Sequence, residues 1–206
     1  MNRVKRLRLA LHGALLSAVL LLTPGVLPVA QAAPVNAALA SLPADSLYGL
    51  AMPLTDAQGT RFDWREMAGT PLLVTMFYGD CAAACPVLMQ SLQRTIAELQ
   101  PEVGTLRVLM VSLNPLHDTP ASLAHLSHMH QLDQRFFRLA VAADEGQTRA
   151  MAAALQIKYR ALDTGEISHN TRVTLLNADG QVTASSTLLK PVADQALLLA
   201  VRQALQ

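Results

Sequence analysis

Continuous apolar runs alternate with amphipathic stretches along most of the chain. Residues 71–78 (PLLVTMFY) form an almost continuous apolar run with turn signals at both ends, and residues 106–113 (LRVLMVSL) are mostly apolar, which is typical of strands covered on both faces. Apolar residues recur at helical spacing over 86–99, which predicts a helix after the first run. Thr119 has the chemistry of a helix N-cap and predicts a second helix over about 120–132.

The rest of the pattern continues this alternation. Residues 48–54 and the turn at 56–59 resemble a short N-terminal hairpin. Further predicted elements are a strand at 138–142, a helix at 147–156, two strands at 172–177 and 181–186 joined by an Asp-Gly turn, and a helix at 194–205. This order predicts one α/β domain with a mixed sheet flanked by helices and an N-terminal hairpin extension.

The first 32 residues have the composition of a secretory signal. Four basic residues precede an apolar run at 14–22, and Ala30-Gln31-Ala32 offers the small residues of a cleavage site. The run is shorter than the about 20 residues of a membrane span, although an uncleaved anchor is the alternative. We therefore expect a signal peptide or anchor at 1–32, a flexible tether at 33–46 and a periplasmic domain at 47–206.

The charge of the chain is nearly balanced. The whole sequence has 16 Lys and Arg against 15 Asp and Glu, a net charge of +1. Removal of residues 1–32 takes away four basic and no acidic residues, which leaves 12 against 15, or −3. The predicted domain has no basic stripe, so we expect no nucleic-acid partner, and membrane contact only if the N-terminal segment stays uncleaved.

A pair of cysteines follows the first buried run, where a helix is predicted to start. Cys81 and Cys85 are separated by three alanines and followed by Pro86. Functional sites of α/β sheets lie at the carboxyl ends of strands, and helix N-termini favour the thiolate. In a helix the two Cα atoms would lie about 6.2 Å apart, inside the roughly 4.4–6.8 Å range that allows a disulfide. The pair can therefore oxidise or bind one metal ion together.

The cysteine pair alone leaves several functions open. A structural disulfide would close a very short loop, which makes it a poor stabiliser. A thiol–disulfide oxidoreductase would use Cys81 and Cys85 as its catalytic redox pair, although its usual motif has two residues between the cysteines. A peroxidase would need a neighbouring Thr and a helper Arg, and neither is evident. A third ligand would favour metal binding.

Three motifs resemble the SCO/SenC family of copper proteins, and together they span most of residues 47–206. The first is the strand leading into the CxxxCP motif of Cys81 and Cys85. The second is residues 112–120 (SLNPLHDTP), which are similar to the family's D-P-x-x-D-T-P segment. The third is residues 167–171 (ISHNT), where the family keeps its copper-ligand histidine, here His169.

The resemblance implies a thioredoxin-like fold in which Cys81, Cys85 and His169 bind copper. It also implies a copper chaperone whose partner is the CuA-bearing subunit of cytochrome c oxidase or another periplasmic copper protein. Reduction of the target's cysteines is the alternative role. Two thiolates select Cu(I), and an imidazole completes a trigonal site that also accepts Cu(II). Structural zinc takes four ligands, and the sequence offers no convincing fourth. Taken alone, His169 would be interpreted as an ordinary surface or core histidine.

Two positions depart from the family pattern. Asn114 and Ser168 stand where many members have an acidic residue. A carboxylate beside a ligand tunes the basicity of that ligand and the charge of the site. The departures therefore bear on metal affinity and choice of partner rather than on the ligand set.

A histidine-rich segment and two single residues give weaker signals. His125 and His128 share a helix face, which makes an accessory copper site one interpretation. The alternative is a polar solvent face with Met129 turned toward the core. Asp118 is expected to shape its turn, and Tyr78 either lines the metal pocket or only fills space.

Overall fold

The computed structural model describes residues 42–100 and 104–206. Its strands are β1 (Pro53–Asp56), β2 (Arg61–Asp63), β3 (Leu72–Phe77), β4 (Arg107–Ser112), β5 (Phe137–Ala142), β6 (Tyr159–Ala161), β7 (Ile167–His169), β8 (Val173–Leu176) and β9 (Val182–Ser186). Its α-helices are α1 (Ala84–Leu99), α2 (Pro120–Met129), α3 (Glu145–Ala154) and α4 (Gln195–Ala204). Short 3₁₀ helices cover Leu47–Gly49 and Trp64–Met67.

Seven of these strands form one mixed sheet in the order β2-β1-β5-β4-β3-β8-β9. Strands β3, β4 and β5 are parallel, whereas β1, β2, β8 and β9 pair antiparallel with their neighbours. The prediction of a mixed α/β sheet is confirmed. Strands β6 and β7 form a separate two-stranded ribbon.

The central strand β3 is buried on both faces, as its continuous apolar sequence predicts. Leu73 and Phe77 pack into one apolar core, which also contains side chains of α1, α2 and α4. Leu72, Val74 and Met76 point to the opposite face and pack into a second core, which includes side chains of α3. Alternate side chains of a strand lie on opposite faces, so helices on both sides of the sheet hold β3 rigidly in place.

Most predicted elements are present, with boundaries shifted by a few residues. Thr119 is the N-cap of α2, and its side chain accepts a hydrogen bond from the Ser122 N–H. One predicted element is misplaced and one element was missed. Tyr48 lies in a 3₁₀ helix rather than in the hairpin, which is formed by β1 and β2. The β6–β7 ribbon was not predicted, because strands of three residues show almost no alternation.

The predicted signal peptide lies outside the described residues, as does most of the predicted tether. The described end of the tether contacts the domain, since the Ser46 hydroxyl donates a hydrogen bond to the Asp179 carbonyl at 2.5 Å. The Gln181 side-chain amide likewise donates to the Asp45 carboxylate at 2.8 Å. Within residues 42–100 and 104–206, no helix is both long and apolar enough to cross a membrane.

Candidate metal centre

Cys81 lies between the end of β3 and the start of α1. The Cys81 N–H donates to the carbonyl of Tyr78, one residue beyond the strand. The N-cap residue of α1, Ala83, has no side chain that could accept a hydrogen bond from the helix. Instead the Cys81 Sγ accepts a hydrogen bond from the Cys85 N–H at 3.2 Å. The sulfur therefore takes the place of a capping side chain at the positive end of the helix.

The two thiols have opposite acidities in the metal-free protein. Both are free thiols, and Cys85 is buried whereas Cys81 is partly exposed. A hydrogen bond from the Cys85 S–H is the largest cause that lowers the pKa of Cys81. Together with contacts from His169 and the N–H groups of Cys85 and Ala84, it outweighs the effect of burial and brings this pKa to about 4. The pKa of Cys85 is raised, because its proton is held by the Cys81 sulfur and its side chain is desolvated. One thiolate and one thiol therefore coexist at neutral pH.

His169 reaches the cysteines from the β6–β7 ribbon. It is the last residue of β7, where it pairs with Tyr159 of β6. Its ring packs edge-on against the ring of Tyr78, with centroids 5.9 Å apart and an interplanar angle of 82°. Its Nδ1 lies 3.2 Å from the Asn170 carbonyl oxygen. In the tautomer that donates this hydrogen bond, the lone pair of Nε2 is free for a metal.

The sulfurs of Cys81 and Cys85 and a ring nitrogen of His169 all lie within 4.8 Å of one another. Among the described residues, this is the one group of three or more His, Cys, Asp and Glu side chains that could hold a metal ion. Cys85 is 3% exposed, and the other two side chains are partly exposed. Two soft sulfurs and one imidazole suit copper. The open side leaves room for a second protein to approach the metal.

Asp118 braces the loop that carries Cys81. Its buried carboxylate accepts a hydrogen bond from the Gly79 N–H at 3.0 Å and another from the hydroxyl of Ser112, the last residue of β4. A side chain at Gly79 would collide with this carboxylate. The sequence predicts that Asp118 shapes its own turn, but it does not predict the hydrogen bond between its carboxylate and the Gly79 N–H of another loop.

The two departures from the family pattern lie in different elements, Asn114 in the loop after β4 and Ser168 within β7. Asn114 stabilises the loop through its backbone, since its carbonyl accepts hydrogen bonds from the N–H groups of Asp118 at 2.9 Å and His117 at 3.1 Å. Ser168 is exposed and lines a surface cleft of about 430 Å³ together with His169. The histidines of α2 do not join the metal group. The expectation that Met129 turns toward the core is wrong, because its side chain is 62% exposed.

The sequence profile of the SCO1/SenC family matches residues 43–204. The chain belongs to the SCO1/SenC family. No curated protein gives a significant match.

Solved structures of SCO1/SenC proteins share the fold. A SCO1/SenC family lipoprotein from Bacillus anthracis is similar with a TM-score of 0.69 at 14% identity, over 76% of this chain and 94% of that one. ScoI of Arabidopsis thaliana with copper bound gives a TM-score of 0.64 at 13% identity, over 75% and 98%. BsSco, in which a disulfide switch was identified, gives 0.65 at 15% identity, over 76% and 92%. At these identities the likeness shows the fold, and the thioredoxin-like architecture is confirmed.

Proposed function

We propose that this SCO1/SenC protein is an exported copper chaperone that holds copper through Cys81, Cys85 and His169. The observation that carries the proposal is the convergence of two sulfurs and one imidazole nitrogen within 4.8 Å. A chaperone has to bind its cargo tightly and then release it to a partner. Three ligands on a partly open surface suit that task better than the closed set of four that structural zinc prefers.

The protonation states of the two cysteines favour the binding of a soft metal ion. Cys81 is already a thiolate, so copper binding requires the loss of one proton, from Cys85. Cu(I) accepts a trigonal set of two thiolates and an imidazole, and an exchange of ligands with a partner can then pass the ion on. The solved ScoI of Arabidopsis thaliana carries copper, which supports copper as the cargo here.

The recipient that we propose is the CuA-bearing subunit of cytochrome c oxidase or another copper protein of the same compartment. BsSco is a member of the Sco family of cytochrome c oxidase assembly proteins, which supports this choice of recipient. We further propose that the domain works in the periplasm, because residues 1–32 have the composition of a secretory signal.

Thiol–disulfide reduction is the second candidate function, favoured by the unequal acidities of the two cysteines. The Cys81 thiolate would attack a disulfide of the target and form a mixed disulfide, which releases one target thiolate. Cys85 would then lose its proton and attack the Cys81 sulfur. The target would leave with two thiols, which take one proton from Cys85 and one from solvent, and the domain would be oxidised to a Cys81–Cys85 disulfide.

One experiment separates these functions. The copper-loaded protein is mixed with the reduced, metal-free CuA domain, and the reduced, metal-free protein is mixed with the disulfide form of the same domain. A chaperone transfers Cu(I) in the first mixture, which is read as the CuA absorption spectrum after a mild one-electron oxidant is added to the separated CuA domain, and His169→Ala abolishes that transfer. A reductase yields free target thiols in the second mixture, and His169→Ala leaves most of that activity. Absence of copper transfer with intact reduction would overturn the chaperone proposal.

A further inference from the structure

The solvent face of α2 carries three side chains that can bind metal. At about 100° per residue, His128 and Met129 lie roughly 60° and 40° to either side of His125. The buried residues of the helix, Leu123 and Ser127, lie on the opposite side. His125 and His128 are exposed, and Met129 is 62% exposed. Two imidazoles and a thioether therefore share one accessible face.

The exposure of Met129 sets it apart from most methionines of the described chain. Five others are buried in the two apolar cores: Met52, Met76, Met89, Met110 and Met151. Methionine normally serves as an adaptable filler of such cores. Because the Met129 side chain is not enclosed by the fold, its thioether is available to a soft ion.

The helix that presents these side chains is fixed at both ends. A capping box between Thr119 and Ser122 closes its N-terminus. At its C-terminus, the Gln93 side-chain amide of α1 donates to the carbonyls of His130 at 2.9 Å and Gln131 at 3.3 Å. His128 and Met129 follow His125 by three and four positions, spacings at which Cβ atoms lie about 5–6 Å apart, so each of these two side chains can reach an ion bound by the His125 imidazole.

We propose that His125, His128 and Met129 form a second copper site that binds Cu(I). Thioethers favour Cu(I), and imidazoles bind copper in either state. The site shares no residue with the Cys81, Cys85 and His169 group, and its existence does not depend on the function proposed for that group. Because all three side chains are exposed and none of them is a thiolate, the site binds Cu(I) more weakly than the two cysteines do.

The test is an anaerobic Cu(I) titration against a weak competing chelator. The unaltered domain is expected to bind two ions, one tightly and one weakly. Cys81→Ser with Cys85→Ser removes the tight site and keeps the weak one. His125→Ala with His128→Ala removes the weak site and keeps the tight one, which also shows that this variant is folded. His117→Ala, which alters an exposed histidine outside the helix, changes neither.

Substitution of Met129 tests the identity of the ion. In the protein without the two cysteines, Met129→Leu should weaken Cu(I) binding at least about tenfold while leaving Zn²⁺ binding by the two imidazoles within about twofold. The proposal is overturned if the variant without cysteines binds no Cu(I), or if loss of His125 and His128 leaves the second ion in place. Either result leaves the proposed chaperone function untouched.

Discussion

The Asp118 carboxylate accepts a hydrogen bond from the backbone N–H of Gly79 at 3.0 Å, which links the loop after β4 to the loop before Cys81. The same oxygen accepts the hydroxyl of Ser112. Asp118 is 8% exposed, so its charge is satisfied almost entirely by these fixed donors. The position of Cys81 thus depends on a residue that is 37 positions further along the chain.

Asp118→Asn should lower both stability and copper affinity. The amide is less able to accept both donors, and a buried donor left without its partner costs about 1–3 kcal/mol. Urea unfolding of the reduced, metal-free protein measures the free energy of unfolding, and a Cu(I) titration measures the affinity. Asp163→Asn, in the exposed turn of the β6–β7 ribbon, is the matched control. An Asp118→Asn variant as stable as this control would contradict the bracing role.

Alkylation of the metal-free protein tests the acidity of Cys81. Because the pKa of Cys81 is lowered to about 4, its reaction with iodoacetamide should proceed at a nearly constant rate between about pH 6 and pH 8. Cys85→Ser keeps a hydrogen-bond donor and should preserve this profile, whereas Cys85→Ala should raise the apparent pKa. Mass spectrometry identifies the alkylated residue. A rate that rises about tenfold per pH unit across this range would contradict the assignment.

The ring of Tyr78 should matter for copper binding because it packs edge-on against the ring of His169. Tyr78→Phe keeps the ring and should leave Cu(I) affinity within about twofold, whereas Tyr78→Ala removes the support and should lower affinity roughly tenfold or more. The free energy of unfolding of each variant, measured in parallel, shows how much of any loss of affinity comes from general destabilisation by removal of a buried side chain. Equal affinities for the Phe and Ala variants would show that this contact does not position His169.

The N-cap of α4 should make stability depend on pH in acid. Partial burial raises the pKa of Asp194, but hydrogen bonds from Ser186 and from the N–H groups of Leu197 and Ala196 outweigh it, and the net pKa is lowered. Since the folded pKa lies below the unfolded value of about 3.9, the stabilisation is fully present above that value. It is lost as the pH falls through the folded pKa.

Two variants of Asp194 distinguish the effect of its capping hydrogen bonds on stability from the effect of its negative charge. Asp194→Ala should cost about 0.5–2 kcal/mol at neutral pH. Asp194→Asn retains a capping side chain, so it should lose less stability at neutral pH and should show a smaller further loss in acid than the unaltered protein. Thermal or urea unfolding from about pH 7 to pH 3 measures both effects. Identical acid sensitivity in the Asn variant and the unaltered protein would rule out this contribution.

The sequence is most informative where a local pattern determines the structure. The apolar run that became β3 predicts a buried strand, and Thr119 followed by Pro120 predicts the start of α2. A local pattern does not predict the full set of metal ligands, because His169 lies 84 positions beyond Cys85 and only the fold brings the two residues together. The resemblance to the SCO/SenC family predicts that His169 joins the two cysteines, whereas its position in the sequence alone indicates an ordinary histidine.

Contacts between loops that are distant in the chain could not be predicted from the sequence. The Asp118–Gly79 bond depends on β3 and β4 being adjacent parallel strands whose ends meet at one edge of the sheet. The β6–β7 ribbon depends on pairing between strands too short to show a period, and its Asp163-Thr164-Gly165 turn was the one local signal available.

The most direct test of the central claim is X-ray absorption spectroscopy of the domain loaded with one equivalent of Cu(I). The account predicts a first shell of two sulfurs and one imidazole nitrogen, with the nitrogen contribution lost in His169→Ala and one sulfur lost in Cys81→Ser. The double variant His125→Ala with His128→Ala should give the same spectrum as the unaltered protein. A first shell without sulfur, or one that His169→Ala leaves unchanged, would contradict the assignment of Cys81, Cys85 and His169 as the copper ligands.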